Sequence, residues 1–237
     1  MATAARNVAN LQATMLESYL VAMARAVERS IEGAIDALLS RDEARASSLF
    51  LLEPRINEME VVMDDHAVRL LREGGLADAQ LRHIVAALKI NNDLERMGDL
   101  AVNIGQRTIA LAQMPPIEPP PELAPMTGAV RAMVGRSLGS LVHRDLGLAQ
   151  EVLETEESVD SFRDRIFGRL MVAMREDATR IGPHVQYLLA TRHLERIADH
   201  TTNIAEDVVF WLRGLDIRHG RLREAEIAEP LEPAERF

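Results

Sequence analysis

Leu94-Glu95-Arg96-Met97-Gly98-Asp99-Leu100-Ala101-Val102-Asn103-Ile104-Gly105 returns 100 residues later as Leu194-Glu195-Arg196-Ile197-Ala198-Asp199-His200-Thr201-Thr202-Asn203-Ile204-Ala205. Leu, Glu, Arg, Asp, Asn and Ile coincide at six of the twelve positions, a match that chance hardly produces, so the chain reads as two copies of one unit. Residues four apart on a helix point the same way, drifting ~40° per step with a rise of ~6 Å. Glu95, Asp99 and Asn103 therefore form an oxygen-bearing ridge, and Glu195, Asp199 and Asn203 form its copy.

Working outward from the two copies, the pattern is helical. Leu16, Leu20, Met23, Val27, Ile31, Ile35 and Leu38 recur at steps of three or four, which puts them on one stripe of a helix about two dozen residues long. A second helical stretch covers residues 43–73, with Gly74-Gly75 as a left-handed cap. A third begins at Asp78, as N-cap or first-turn residue, and continues to about Ala112. Pro115, Pro116, Pro119, Pro120, Pro121 and Pro125 then interrupt, because proline lacks the amide proton and clashes with the preceding turn; the segment reads as a stiff extended linker. Beyond it come helical stretches at residues 126–144 and 145–179, and a last one opened by Gly182-Pro183 that runs to about Arg213. The expected fold is all-α, with two tandem three-helix bundles at residues 8–113 and 126–213, a linker at 114–125 and a polar tail at 214–237. Helices of ~30 residues are ~45 Å long, so the molecule is expected to be elongated.

Composition narrows the function. The 237 residues carry 27 Lys plus Arg against 37 Asp plus Glu, a net charge of -10, which argues against a nucleic-acid binder because phosphate contacts need a basic surface. Lys89 is the one lysine; that scarcity reflects base composition and carries no functional reading. There is no cysteine, hence no disulfide, thiolate nucleophile or Cys-ligated metal, and any metal must be held by oxygen or imidazole. The start of the chain lacks the basic and apolar segments of an export signal. No apolar run approaches the ~20 residues that cross a bilayer. A cytoplasmic protein without a transmembrane segment is expected.

Like charges four apart on a helix repel by a few tenths of a kcal/mol, so a duplicated acidic ridge calls for a compensating cation or hydrogen-bond network. One explanation is metal. Carboxylate and amide oxygens suit magnesium or manganese, and carboxylate ridges on facing helices also hold iron or zinc, often more than one ion. The adjacent helices offer Asn57, Glu60 and Asp64 in the first half, with Asp160 and Asp164 in the second. The other explanation is an exposed acidic face with intrahelical ion pairs, since Arg96 and Arg192 lie three residues from Asp99 and Glu195. His200 points ~100° away from Asp199, which makes it a surface or interbundle residue. Met15, Met23, Met59, Met63, Met97, Met171 and Met174 are expected in the core or between helices.

The twin Leu-Glu-Arg-(Met/Ile)-(Gly/Ala)-Asp segments followed by Asn-Ile resemble the signature helices of the PhoU family of bacterial phosphate-uptake regulators. Supporting stretches are Val27-Glu28, Ala34-Ile35-Asp36-Ala37-Leu38, Arg55-Ile56-Asn57-Glu58-Met59-Glu60, Ser158-Val159-Asp160 and Phe210-Trp211-Leu212-Arg213-Gly214-Leu215-Asp216-Ile217-Arg218-His219. The resemblance spans about residues 8–219. It implies two tandem three-helix bundles, a homodimer, and multinuclear metal clusters in some members, mapped here onto Glu95/Asp99 and Glu195/Asp199. It also implies a cytoplasmic role beside the membrane, restraining the phosphate ABC transporter through its ATPase subunit and silencing the partner sensor histidine kinase. Three departures stand out: a long proline linker, Ala198 in place of a glycine, and Pro54 at a mid-helix position, where the second helix must kink or begin.

A metalloenzyme using the carboxylates for redox or hydrolytic chemistry is the alternative. No Glu-x-x-His pair, phosphate-binding Gly-x-x-x-x-Gly-Lys loop or Gly-x-Ser-x-Gly elbow occurs. An enzyme also needs an asymmetric constellation of open coordination position, substrate pocket and acid or base, whereas this sequence offers a repeated one. The expectation is a metal-binding adaptor without catalysis.

Overall fold

The first apolar stripe is buried along its whole length: Leu16, Leu20, Met23, Val27, Ile31, Ile35 and Leu38 are each at most 2% exposed. They lie on α1 (Ala2–Ser40), longer than the stripe alone indicates. The computed structural model describes residues 2–218; His219 and the remainder of the expected tail lie outside the described residues.

After α1 the chain turns at Arg41, in the left-handed region with φ 54°. Asp42 then caps α2 (Glu43–Ser48), its carboxylate accepting the Arg45 N–H at 2.9 Å. The stretch at 43–73 is not one helix. A 3-10 turn at Leu49–Leu51 separates α2 from α3 (Glu53–Glu73), and Pro54 sits in the first turn of α3, where a missing N–H leaves no hydrogen bond unmade. Gly74 and Gly75 both take positive φ, which glycine accepts without strain, but Gly74 has ψ -173° and so ends α3 outside the left-handed helical region expected of the cap. At the start of α4 (Asp78–Ala112) the cap is Ala77, whose N–H donates to Gln80 Oε1 at 3.0 Å, with Asp78 in the first turn.

The second half follows the same plan. α5 (Leu123–His143) begins before Pro125, which again occupies a first turn. Arg144 turns the chain at φ 53°, and Asp145 accepts from the N–H groups of Gly147 and Leu148 to open α6 (Leu146–Glu176). Asp177 caps a single 3-10 turn leading into α7 (Ile181–Arg213). The described residues are all-α, arranged as two three-helix bundles in tandem. The motif helices α4 and α7 pack against each other, and α1 also reaches α5, so the bundles share one continuous apolar core. Met23, Met63 and Met97 are buried in it, and Met59 and Met174 pack on its edge. Met15 and Met171 are instead 42% and 45% exposed, on outward-facing helical turns.

Gly98 lets α3 approach α4. A Cβ there would lie 3.2 and 3.3 Å from two carbons of the buried Ile56 side chain. In the repeat the corresponding residues are Ala198 and Val159, both buried: one half pairs the smaller residue with the larger, and the other moves one methyl group across. Gly98→Ala is therefore expected to lose about 1 kcal/mol, overpacking outweighing the gain in helix propensity. Adding Ile56→Val should restore it, and a double-mutant cycle by urea unfolding checks the coupling.

Candidate functional site

In the first bundle α3 and α4 bring Glu60, Asp64, Glu95 and Asp99 into one electrostatic neighbourhood. Burial, then the Asp64 and Asp99 charges, push the Glu60 carboxyl above its usual range against Arg96. Burial, then Asp99 and Glu60, push Glu95 up as well. Arg96 stays on the rim, its Nε 3.4 Å from Glu95 Oε2. Asn91, one turn before Glu95, is 1% exposed; its Nδ2 donates to Asp64 Oδ1 at 3.0 Å and to the Glu60 carbonyl at 3.2 Å. Its Oδ1 is buried without a hydrogen-bond partner. Asn103 continues the ridge half-buried, and Asn57 lies exposed at its edge.

The second bundle answers differently. Arg163, on α6, holds Asp160 and Glu195 through Nη1 at 2.8 and 2.6 Å and Asp164 through Nη2 at 2.9 Å. The partner of Glu195 is thus an interhelical arginine, not Arg192 on its own helix. Asp164 is largely exposed. Glu156, four residues before Asp160, joins the set: burial, then Asp199 and Asp160, raise its carboxyl. Asp199 is raised by burial and then by Glu195 and Asp160, with His200 and Arg163 opposing.

Asn203 does not stay with its ridge. Its Nδ2 donates to Asp93 Oδ1 across the seam between bundles at 3.3 Å, beside His200, whose Nδ1 lies 2.7 Å from the same oxygen. His200 is therefore an interbundle residue. In the same seam Lys89 Nζ meets Asp207 Oδ1 at 2.7 Å and lies 5.3 Å from the centre of the Phe210 ring. A cavity of about 250 Å³ opens there between Lys89, Asp93, Asn203, Glu206 and Asp207. Burial, followed by the Asp207 and Glu156 charges, pushes Glu206 up to about 7.

Asn91 extends the α4 ridge backward by one helical turn, and Glu156 does the same for the Asp160/Asp164 row on α6, a signal visible in the spacing. The seam residues carry no such signal, because they meet only through the packing of α4 on α7. The lysine whose rarity looks incidental in the composition anchors that seam.

Among the described residues, no three His, Asp or Glu side chains converge closely enough to hold one ion. The donor chemistry nevertheless differs between halves. Glu60, Asp64, Glu95, Asp99 and the unpartnered Asn91 oxygen are hard oxygen donors, the chemistry a divalent cation takes, with Arg96 as the neighbouring positive charge. The second set differs, because a guanidinium already takes oxygens of Asp160, Asp164 and Glu195 and leaves only Asp199 and Glu156 outside its reach.

Long paired bundles with an acidic ridge on each motif helix define a class of tandem three-helix-bundle proteins. The PhoU domain model matches residues 20–108 and 123–208, and the chain belongs to the PhoU family. It is 34% identical over 206 residues to the phosphate-specific transport system accessory protein PhoU homolog of Xylella fastidiosa, covering 84% of each chain. The corresponding Pseudomonas aeruginosa protein is 33% identical over 213 residues, covering 89% of this chain and 87% of the relative. The crystal structure of PhoU from Pseudomonas aeruginosa superposes with a TM-score of 0.83 at 32% identity, covering 87% of this chain and 99% of that one. That of the phosphate transport system regulatory protein PhoU from Streptococcus pneumoniae shares the fold, with a TM-score of 0.79 at 24% identity.

Proposed function

We propose that this protein is an accessory regulator of phosphate transport that restrains the phosphate ABC transporter through its ATPase subunit and silences the partner sensor histidine kinase. The observation that carries the reading is the family match over both bundles, shared with relatives named as phosphate-specific transport system accessory proteins. No helix among the described residues is long and apolar enough to cross a membrane, in keeping with a cytoplasmic protein that reaches the membrane through its partners. It acts as a homodimer and by contact rather than turnover.

The metal part of the proposal rests on the first bundle. Iron, zinc, manganese or magnesium would be held by Glu60, Asp64, Glu95 and Asp99, with Asn91, Asn57 and Asn103 beside them. A bound cation would relieve the mutual repulsion of the carboxylates and favour the α3–α4 geometry that gathers them, by its differential affinity for that geometry.

Deleting the protein in its host is expected to release phosphate uptake and kinase output under phosphate-replete conditions, and the intact gene should restore both. Affinity capture of the tagged protein should recover the ATPase subunit and the kinase. Unchanged uptake and kinase output on deletion would overturn the regulatory role. For the metal, elemental analysis of purified protein should find a transition or alkaline-earth cation that Glu95→Gln/Asp99→Asn abolishes; a metal content untouched by those changes removes the site.

A further inference from the structure

The two halves can be aligned in sequence, and the alignment of α3 with α6 exposes a charge reversal. On α3 and α6, Ile56 corresponds to Val159, Met63 to Ile166 and Ala67 to Leu170, all buried apolar positions at a constant offset of 103. The same offset places Asp160 opposite Asn57 and Arg163 opposite Glu60. At the position where the first bundle adds a fourth acid to its set, the second places a permanent cation.

That cation is fully engaged. Arg163 spans both helices: Nη1 reaches Asp160 on α6 and Glu195 on α7, while Nε and Nη2 both hold Asp164, all within 2.6–3.0 Å. A guanidinium cannot be deprotonated in this setting, and its planar fork satisfies several carboxylate oxygens together. It supplies charge and hydrogen bonds to three of the carboxylates that would otherwise face a metal, and to Asp199 it offers its charge without a hydrogen bond. Among the described residues the first bundle has no such counterpart: Arg96 contacts Glu95 alone, at 3.4 Å, acts on Glu60 through its charge only, and a buried amide oxygen on Asn91 is left without a partner.

We infer that Arg163 replaces the metal ion of the second bundle, so that this chain loads cations into its first bundle alone. The inference rests on the proposed reading of the first bundle as a metal site, but its own test is separate. Functionally, the pseudo-symmetric molecule is one-sided: its first bundle responds to metal supply, and its second is held in one geometry by a side chain that never dissociates.

The test is Mn²⁺ binding by calorimetry on the full chain after chelation, together with thermal melting. The wild-type protein is expected to bind Mn²⁺ in a form lost in Glu95→Gln/Asp99→Asn and retained in Glu195→Gln/Asp199→Asn. Arg163→Glu should add one Mn²⁺ per chain, even in the Glu95→Gln/Asp99→Asn background. Arg163→Gln, which removes the charge with less disturbance, is made in the Glu95→Gln/Asp99→Asn background; there it should melt at lower temperature than that background in chelator and recover with millimolar Mn²⁺. Failure of Arg163→Glu to gain an ion while Mn²⁺ leaves the melting of Arg163→Gln unchanged overturns the inference. So does wild-type binding that disappears on Glu195→Gln/Asp199→Asn. If the wild-type protein binds no Mn²⁺ yet Arg163→Glu gains it, the first-bundle reading falls and the role of Arg163 stands.

Discussion

Lys89→Met should lower the unfolding free energy by about 2–3 kcal/mol near pH 8, the largest loss expected from removing one charged group. Asp207, its partner across the seam, has a side chain only 8% exposed, while the lysine is 33% exposed. Removing the ammonium leaves a buried carboxylate facing the Asp93 charge, with Arg218 as its remaining positive neighbour. The cost exceeds that of a surface ion pair because the abandoned charge cannot regain water. It is smaller than for a fully buried pair because the lysine is partly hydrated. Burial already raises the Asp207 carboxyl despite Lys89, and without the lysine it rises further. The penalty should therefore shrink as the pH falls and Asp207 takes up its proton. Urea unfolding at several pH values checks this, and Lys89→Met/Asp207→Asn should recover much of the loss. A penalty that is flat with pH and unrelieved by Asp207→Asn would mean that lost packing on the Phe210 ring, rather than an orphaned charge, is responsible.

Glu206→Gln should stabilise the protein by about 1–2 kcal/mol near pH 8 and change little near pH 4.5. In the folded state this carboxyl titrates at about 7, against 4.5 in the absence of the fold, because burial and the Asp207 and Glu156 charges disfavour its ionised form. Between those values the folded chain binds more protons than the unfolded one, so the contribution of Glu206 to stability is present at low pH and falls as pH rises through the folded value. Glutamine keeps the shape and cannot ionise, which removes the loss. The expected gain is below the full linkage value because the side chain is half-buried and solvent screens it. The measurement is the difference in unfolding free energy between variant and wild type from about pH 4.5 to 8. A difference that does not grow with pH would show that Glu206 ionises freely in the fold.

His83 pulls stability the opposite way in acid. Burial, then the Arg144 charge, lower its imidazole to about 4, while its ring stacks on Trp211 at 4.5 Å. Unfolded histidine takes up a proton near pH 6.5, so the contribution of His83 should be present above that value and be lost as pH falls toward 4.

The helices and their order are legible in the sequence because each records a local requirement. The spacing from Leu16 to Leu38 records a buried stripe, Gly74-Gly75 a helix end in positive-φ backbone, and the prolines after Ala112 a break that no helix crosses. Pro54 marks an interruption, but whether it bends a helix or starts one depends on the short helix and 3-10 turn that precede it. The acidic ridges are legible for the same reason: a period of four on a helix fixes direction without reference to any other element.

Their partners are not. Glu60 and Arg163 occupy corresponding places in the repeat, yet only the packing of α3 on α4 and of α6 on α7 sets one among like charges and the other among opposite ones. Asn203 lies on a ridge by periodicity and is drawn to Asp93 by the neighbouring bundle. Sequence by itself determined the helices apart from the break between α2 and α3, the duplication and the family, since these follow from contacts a few residues apart or from matching one half with the other. Tertiary structure alone decided which carboxylates remain without a cation and where the lone lysine is used, because Coulomb energies depend on distance and burial through space, and residues 30 to more than 100 positions apart acquire both only when the bundles close.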